Sequence, residues 1–378
     1  MPAHPDILVL QGNEACAEGA LLAECGFFAG YPITPATEIA EVMAARLPEA
    51  GGIFIQMEDE LASVNAMIGA AWGGLKPMTA TSGPGFCLMQ EGIGYACVTQ
   101  TPGVIVNVMR GGPSTGQPTL SSQQDVYQAR YGSHGDYEII VLAPSSAQEC
   151  LDLTIRAFNL AERFLTPVVI LMDEIVGHTR ERVELPALPC IVRRVTPPKN
   201  HDYKPYEPEE ANGGVPYRAD FGEGYAILVD GQLHNVMGDR VGHLSGPSAA
   251  CVKRIHEKIQ RNLREIEDVV CNIPDDTARI VVSYGSVSRC AQRAVKEAQA
   301  GGVRAGHVRL RTLFPFPDAF FASLATRFKN AAFIVPEMNT GKICREVQRA
   351  TLRPVRSLPK AGGEMHTPAE ILAAIGGA

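Results

Sequence analysis

No two of the ten cysteines stand in a Cys-x-x-Cys pair. Iron–sulfur and zinc sites need thiolates preorganised by such close spacing, so the chain is expected to carry no metal or cluster of its own. The scatter of the cysteines from Cys16 to Cys344 also argues against a disulfide framework. They read as small core residues in a reducing cytoplasm. No apolar run approaches the roughly 20 residues of a membrane span. Residues 1–6 lack a basic segment leading into an apolar one, so export is not expected either. With no long basic tract and a formal net charge of −7, nucleic acid is excluded as a main partner. Neither a Gly-x-Gly-x-x-Gly fingerprint nor a Gly-Lys-Ser/Thr phosphate loop occurs, which disfavours a simple nucleotide-binding oxidoreductase.

What remains is an ordinary globular composition, 46% hydrophobic, in a chain of 378 residues. That length suffices for two cores. Over residues 1–185, strand-like runs at 53–56, 78–81, 104–109, 138–142 and 168–172 alternate with Ala- and Gly-rich helical stretches such as 61–71 and 86–96. Such alternation predicts an α/β fold with a doubly wound parallel sheet. Prolines and glycines then mark a long irregular connection, followed by a charged helix over about 248–270. Its Lys, Arg and Glu read as a solvated face. Connection and helix occupy 186–275. A second α/β unit, 276–378, has strands at 280–284, 306–310 and 332–335 and helices at 287–300 and 318–328.

Chemistry-bearing residues fall where these strands end. The apolar run 104–109 delivers Arg110-Gly111-Gly112-Pro113-Ser114-Thr115-Gly116-Gln117, an arginine with hydroxyls and an amide in a glycine-rich loop. Open α/β sheets bind ligands at this end of their strands, and an arginine fork suits a carboxylate or phosphate. In Tyr31-Pro32-Ile33-Thr34-Pro35, Thr34 stands where a helix N-cap belongs and Pro35 suits the first helical position. A helix N-terminus also favours anions, leaving Thr34 as cap or ligand. Glu58-Asp59-Glu60 opens another helix. Three acids in a row repel one another, and one buried against a ligand would have a raised pKa and could share a proton. The pattern does not select which. Thr81-Ser82-Gly83-Pro84-Gly85 is a sharp strand–helix turn suited to close passage by a flat ligand. His134 lies in a polar loop and is read first as a structural histidine.

The order Tyr-Pro-Ile-Thr-Pro, 56–62, 81–90 and 110–119 resembles the α subunits of 2-oxoacid:ferredoxin oxidoreductases. The resemblance covers the whole chain, because Tyr284-Gly285-Ser286, Phe314-Pro315-Phe316-Pro317 and Glu337-Met338-Asn339-Thr340-Gly341 are similar to motifs of their second domain. The last motif continues with Lys342 where the family usually has glutamine. The loop after Arg110 looks most like the 2-oxoglutarate branch.

The resemblance implies a thiamine-diphosphate pyrimidine-binding domain plus a smaller transketolase C-terminal-like domain. Thiamine diphosphate would be shared with a β subunit, which would hold the diphosphate and Mg²⁺. Glu60 would bond the pyrimidine nitrogen, Pro32 would line the cofactor pocket with Gly83 beside it, and Thr34 and Arg110 would bind the reacting carboxylate. Ser114, Thr115 and Gln117 are candidates for the distal carboxylate of 2-oxoglutarate. Separate γ and δ subunits, clusters on partner subunits, ferredoxin and coenzyme A complete the expected system. The alternatives are the same mechanism on a branched-chain, aryl or other 2-oxoacid, and a catalytically silent scaffold subunit.

Overall fold

The computed structural model describes residues 7–199 and 202–377. Residues 1–6, on which the reading against export rests, lie outside them. Fifteen strands are present among the described residues: β1 (Ile7–Gln11), β2 (Phe27–Gly30), β3 (Ile53–Gln56), β4 (Pro77–Thr81), β5 (Gly103–Gly111), β6 (Gln117–Ser121), β7 (Ile140–Leu142), β8 (Pro167–Asp173), β9 (Arg180–Glu184), β10 (Val269–Asn272), β11 (Arg279–Ser283), β12 (Ala305–Leu310), β13 (Thr312–Phe314), β14 (Ala332–Glu337) and β15 (Val355–Pro359).

The larger sheet has the order β13-β7-β8-β5-β4-β2-β3, with β6 attached to β5. From β7 to β3 every pairing is parallel. All residues of β4, β5 and β8 are buried, because helices cover both faces and leave strands apolar on both sides. On one face, the helices Gly12–Leu22, Thr37–Arg46 and Ala147–Phe164 pack Cys16, Ile39, Met43 and Phe158 against the sheet. On the other, Val64, Trp72, Phe86 and Ile93 share a core with Phe314, Phe316 and Phe333 of the second unit. Sequence order reverses between β2 and β4: the chain goes from β2 to one neighbour, β3, and returns on the far side as β4. That is a topological switch point, and ligands bind beyond the carboxyl ends of strands there.

Three expectations change. The helical stretch 86–96 is two helices, Pro84–Leu88 and Gln90–Val98. The Gln90 side chain donates to the Phe86 carbonyl at 2.9 Å, occupying an acceptor on the turn where they meet. The charged segment 248–270 is a helix, Ser245–Gln260, a short turn, Leu263–Ile266, and the strand β10. Its charges are not all solvated. Cys251, Arg254, Ile255, Lys258 and Ile259 form an inward face. The Lys258 ammonium donates to Gln100 Oε1 at 2.9 Å and to the Leu165 carbonyl at 2.8 Å, and Arg254 donates to the His234 carbonyl. Third, Thr34 caps nothing. The Ala36 N–H closes a turn onto the Ile33 carbonyl at 2.8 Å, so the helix begins at Thr37 with no side-chain cap.

The smaller sheet, β10-β12-β11-β14-β15, is parallel except for the β10 edge. It is tied to the larger one in two ways. β13 adds antiparallel to β7, and a buried polar network crosses between the sheets. Gln123 is its hub. Its amide nitrogen donates to Asp173 Oδ2 (3.2 Å) and to the Tyr284 carbonyl (3.0 Å), and its amide oxygen accepts from the Met338 N–H (3.1 Å). Asp173 also accepts from the Ser286 N–H at 2.8 Å. Gly285 fits there at φ +58, where a Cβ would overlap the Asp173 carboxylate. Tyr284 donates to Glu337, and Asn339 donates to Gln123 O, Tyr284 Oη and Glu337. The second-unit motifs seen in the sequence are therefore the docking surface of the two sheets. Removing one member of such a network leaves its buried partners unsatisfied. Gln123→Met is expected to lower stability by about 3 kcal/mol, read as an earlier urea-unfolding midpoint. An unchanged midpoint would show that the network adds nothing to the docking.

Candidate active site

Four loops meet beyond the carboxyl ends of β2, β3, β4 and β5. The loop after β3 settles which acid is buried. Glu58 is exposed. Asp59 caps the helix Glu60–Trp72, accepting from the Ala62 N–H at 2.7 Å. Glu60, the first residue of that helix, is only 4% exposed. It accepts from Thr81 Oγ1 at 3.3 Å, and a Cβ at Gly85 would overlap both the Glu60 carboxyl and the Thr81 hydroxyl. Gly85 is thus a cradle for the carboxyl group. Burial raises the Glu60 pKa, against opposing help from hydrogen bonds and the Arg110 charge.

Arg110, at the end of β5, is 6% exposed. One guanidinium nitrogen donates to the Thr34 carbonyl at 2.7 Å and another to the Thr115 carbonyl at 3.1 Å. Its Nε–H is buried without a partner, 3.5 Å from where a Cβ on Gly83 would stand. Arg110 therefore meets Thr34 and Thr115 through their backbones, and both of those residues are exposed. Pro32 is exposed on the loop after β2, and His134 is exposed in its own loop.

A cavity of about 460 Å³ opens beside Arg110, lined by Gly83, Pro84, Cys87, Arg110 to Ser114, Gln124, Asp125, Gln128, Thr340 and Lys342. Of the residues singled out in the sequence, it brings together Gly83, Arg110 and Ser114. Gln117 instead packs against Gly111 and donates to the Gly362 carbonyl at 3.1 Å.

Asp125 and Lys342 were missed as site residues by sequence reasoning. Asp125 accepts from Asn107 Nδ2 at 2.9 Å. Asn107 is the one polar residue inside the 104–109 run, and a polar group in a buried strand needs a partner; that was the available signal. Burial raises the Asp125 pKa, opposed by Asn107 and by the Lys342 and Arg110 charges. Burial lowers the Lys342 pKa, opposed by Glu337 and Asp125. No group of three or more His, Cys, Asp or Glu among the described residues could hold a metal ion.

Residues 18–232 match the thiamine diphosphate-binding family of pyruvate flavodoxin/ferredoxin oxidoreductases, and residues 278–371 match core domain II of pyruvate:ferredoxin oxidoreductase. The chain belongs to the 2-oxoacid:ferredoxin oxidoreductase family. It is 51% identical over 370 residues to 2-oxoglutarate synthase subunit KorA of Methanothermobacter thermautotrophicus, covering 96% of each chain. It is 34% identical over 367 residues to ketoisovalerate oxidoreductase subunit VorB of the same organism, covering 94% of each. A solved relative is the 2-oxoglutarate:ferredoxin oxidoreductase from Magnetococcus marinus, with 2-oxoglutarate, coenzyme A and succinyl-CoA bound. It superposes with a TM-score of 0.92 at 31% identity, over 99% of this chain and 65% of that longer one.

The site chemistry fits the cofactor of this family. A dry carboxyl with a raised pKa can exchange a proton with a weakly basic ring nitrogen, and Gly85, with no side chain, leaves the Glu60 carboxyl its place. A raised carboxyl pKa also makes the native state the stronger proton binder above the usual carboxylate range. Stability then falls as pH rises through that window. Glu60→Gln should raise the thermal midpoint of the chain at pH 7, and the gain should vanish at pH 4, where both side chains are neutral. A lower midpoint at pH 7 would show Glu60 to be a structural anchor.

Proposed function

We propose that this chain is the α subunit of a thiamine-diphosphate-dependent 2-oxoglutarate:ferredoxin oxidoreductase, acting in an assembly with β, γ and δ subunits in the cytoplasm. The reaction joins 2-oxoglutarate, coenzyme A and oxidised ferredoxin to succinyl-CoA, CO₂ and reduced ferredoxin, or runs in reverse. The observation that carries the reading is a desolvated Glu60 carboxyl held by Thr81 at the end of β4, and a buried, partly unpaired Arg110 guanidinium at the end of the adjacent β5. One suits proton exchange with the cofactor and the other a substrate carboxylate. The ten cysteines are free, which suits a reducing compartment.

When bound, thiamine diphosphate supplies an acidic ring carbon as nucleophile and an electron sink for decarboxylation. Glu60 would hold the aminopyrimidine nitrogen and pass a proton to or from it. Gly83 and Pro32 would border the ring. Arg110 would take the 2-oxoacid carboxylate on its free Nε–H and the adjoining nitrogen, a two-point contact that fixes the carbonyl carbon in place. The Thr34 and Thr115 carbonyls hold the guanidinium plane for that contact, and Ser114 closes the loop side. The diphosphate and Mg²⁺ are assigned to the β subunit and the iron–sulfur clusters to partner subunits.

The test is coenzyme A-dependent reduction of a viologen dye by the co-purified complex across a panel of 2-oxoacids. Highest kcat/KM for 2-oxoglutarate, lost without thiamine diphosphate and cut at least a hundredfold by Glu60→Gln in an intact complex, is expected. Preference for a branched-chain or aryl acid would overturn the substrate assignment. Full activity of the Glu60→Gln complex would leave the chain a scaffold.

A further inference from the structure

Lys342 lines the same cavity as Arg110 and the loop that follows it. It is the first residue of the helix Lys342–Thr351, but that helix start has no free donors for a ligand. Asn339 Oδ1 accepts from the Gly341 and Lys342 N–H groups, and the Glu337 carboxylate accepts from those of Ile343 and Cys344. What this element offers the cavity is the Lys342 side chain. The carboxylates nearest in charge are Asp125 and Glu337, and both are committed elsewhere, Asp125 to Asn107 and Glu337 to the helix start and Tyr284. The ammonium forms no ion pair with any described residue, and its nitrogen is not among the buried polar atoms left without a partner. It reaches solvent on a partly buried stem, open to an anion that enters the cavity.

The same cavity is lined by a second cation, Arg110, which is contributed by the larger sheet and has its Nε–H buried without a partner. We infer that Lys342 binds the distal carboxylate of a dicarboxylic 2-oxoacid whose reacting carboxylate sits on Arg110, and so sets the preference for acidic over apolar side chains. This inference rests on the proposed 2-oxoacid chemistry and names the substrate class of that site. Two cations lining one cavity match two carboxylates, whereas a substrate with an apolar tail would strip water from the ammonium and supply no partner. Losing a partner for a buried charge costs more than any gain from the alkyl contact. Ser114 and Thr340 also line the cavity and can complete the distal seat with hydroxyls. Gln117, turned to Gly362, takes no part.

The test compares the assembled wild-type complex with Lys342→Met and Lys342→Arg, using 2-oxoglutarate and 2-oxobutyrate as substrates. Calorimetric binding of glutarate, which has no reactive carbonyl, gives a readout independent of turnover. Lys342→Met should lower the kcat/KM ratio of 2-oxoglutarate to 2-oxobutyrate roughly 10- to 100-fold, the span of one charge-assisted hydrogen bond, mainly through KM. It should weaken glutarate binding by a similar factor, and Lys342→Arg should recover most of both. Equal losses on both acids, or an unchanged ratio with unchanged glutarate affinity, would overturn the inference. A wild-type complex that turns over no 2-oxoacid would instead overturn the function on which it rests.

Discussion

Gln123 and the polar groups around it hold the two sheets in register, and the site depends on that register. The network is enclosed: Gln123, Asp173, Glu337 and Asn339 are all fully buried. Buried polar groups tolerate little displacement, because each lost partner exposes a desolvated donor or acceptor to nothing. An apolar contact of the same area could slide; this one has a fixed geometry. Glu337 and Asn339 belong to the network and also cap the helix that starts at Lys342. The position of Lys342 relative to Arg110 is thus set by the same hydrogen bonds that dock the sheets.

At the strand ends, burial divides the charged groups by task. Glu60 is enclosed by Thr81 and the side-chain-free Gly85, an environment that favours a neutral or shared proton. Arg110 keeps its charge, and backbone carbonyls hold its plane while leaving Nε–H free. The larger sheet supplies both, beside its switch point, while the smaller unit supplies Thr340 and Lys342 to the cavity lining. Neither sheet alone makes the pocket.

How legible this was varied with the range of the interactions. β5 and β8 could be read from sequence because buried parallel strands are near-continuous apolar runs. The pair β1 and β9 could not: Ile7 and Val9 are largely exposed, so their pattern announces no core. β13 is three residues long and joins a sheet formed by much earlier residues, which no local pattern encodes. The acids 58–60 were visible as a cluster, but burial of Glu60 is decided by Thr81 and Gly85 on the next strand–helix turn. The helix Ser245–Gln260 misled because its inward lysine and arginine donate to oxygens of residues distant in the chain, Gln100, Leu165 and His234. Lys342 was visible only as a departure from a motif; its place in the same cavity as Arg110 exists only once the sheets dock.

The most direct measurement is the crystal structure of the assembled complex with glutarate bound. The account predicts one carboxylate on the Arg110 Nε–H side of the guanidinium and the other on the Lys342 ammonium, with Gln123 still bridging Asp173 and Met338. Glutarate bound with either cation unengaged, or seated outside this cavity, would contradict it.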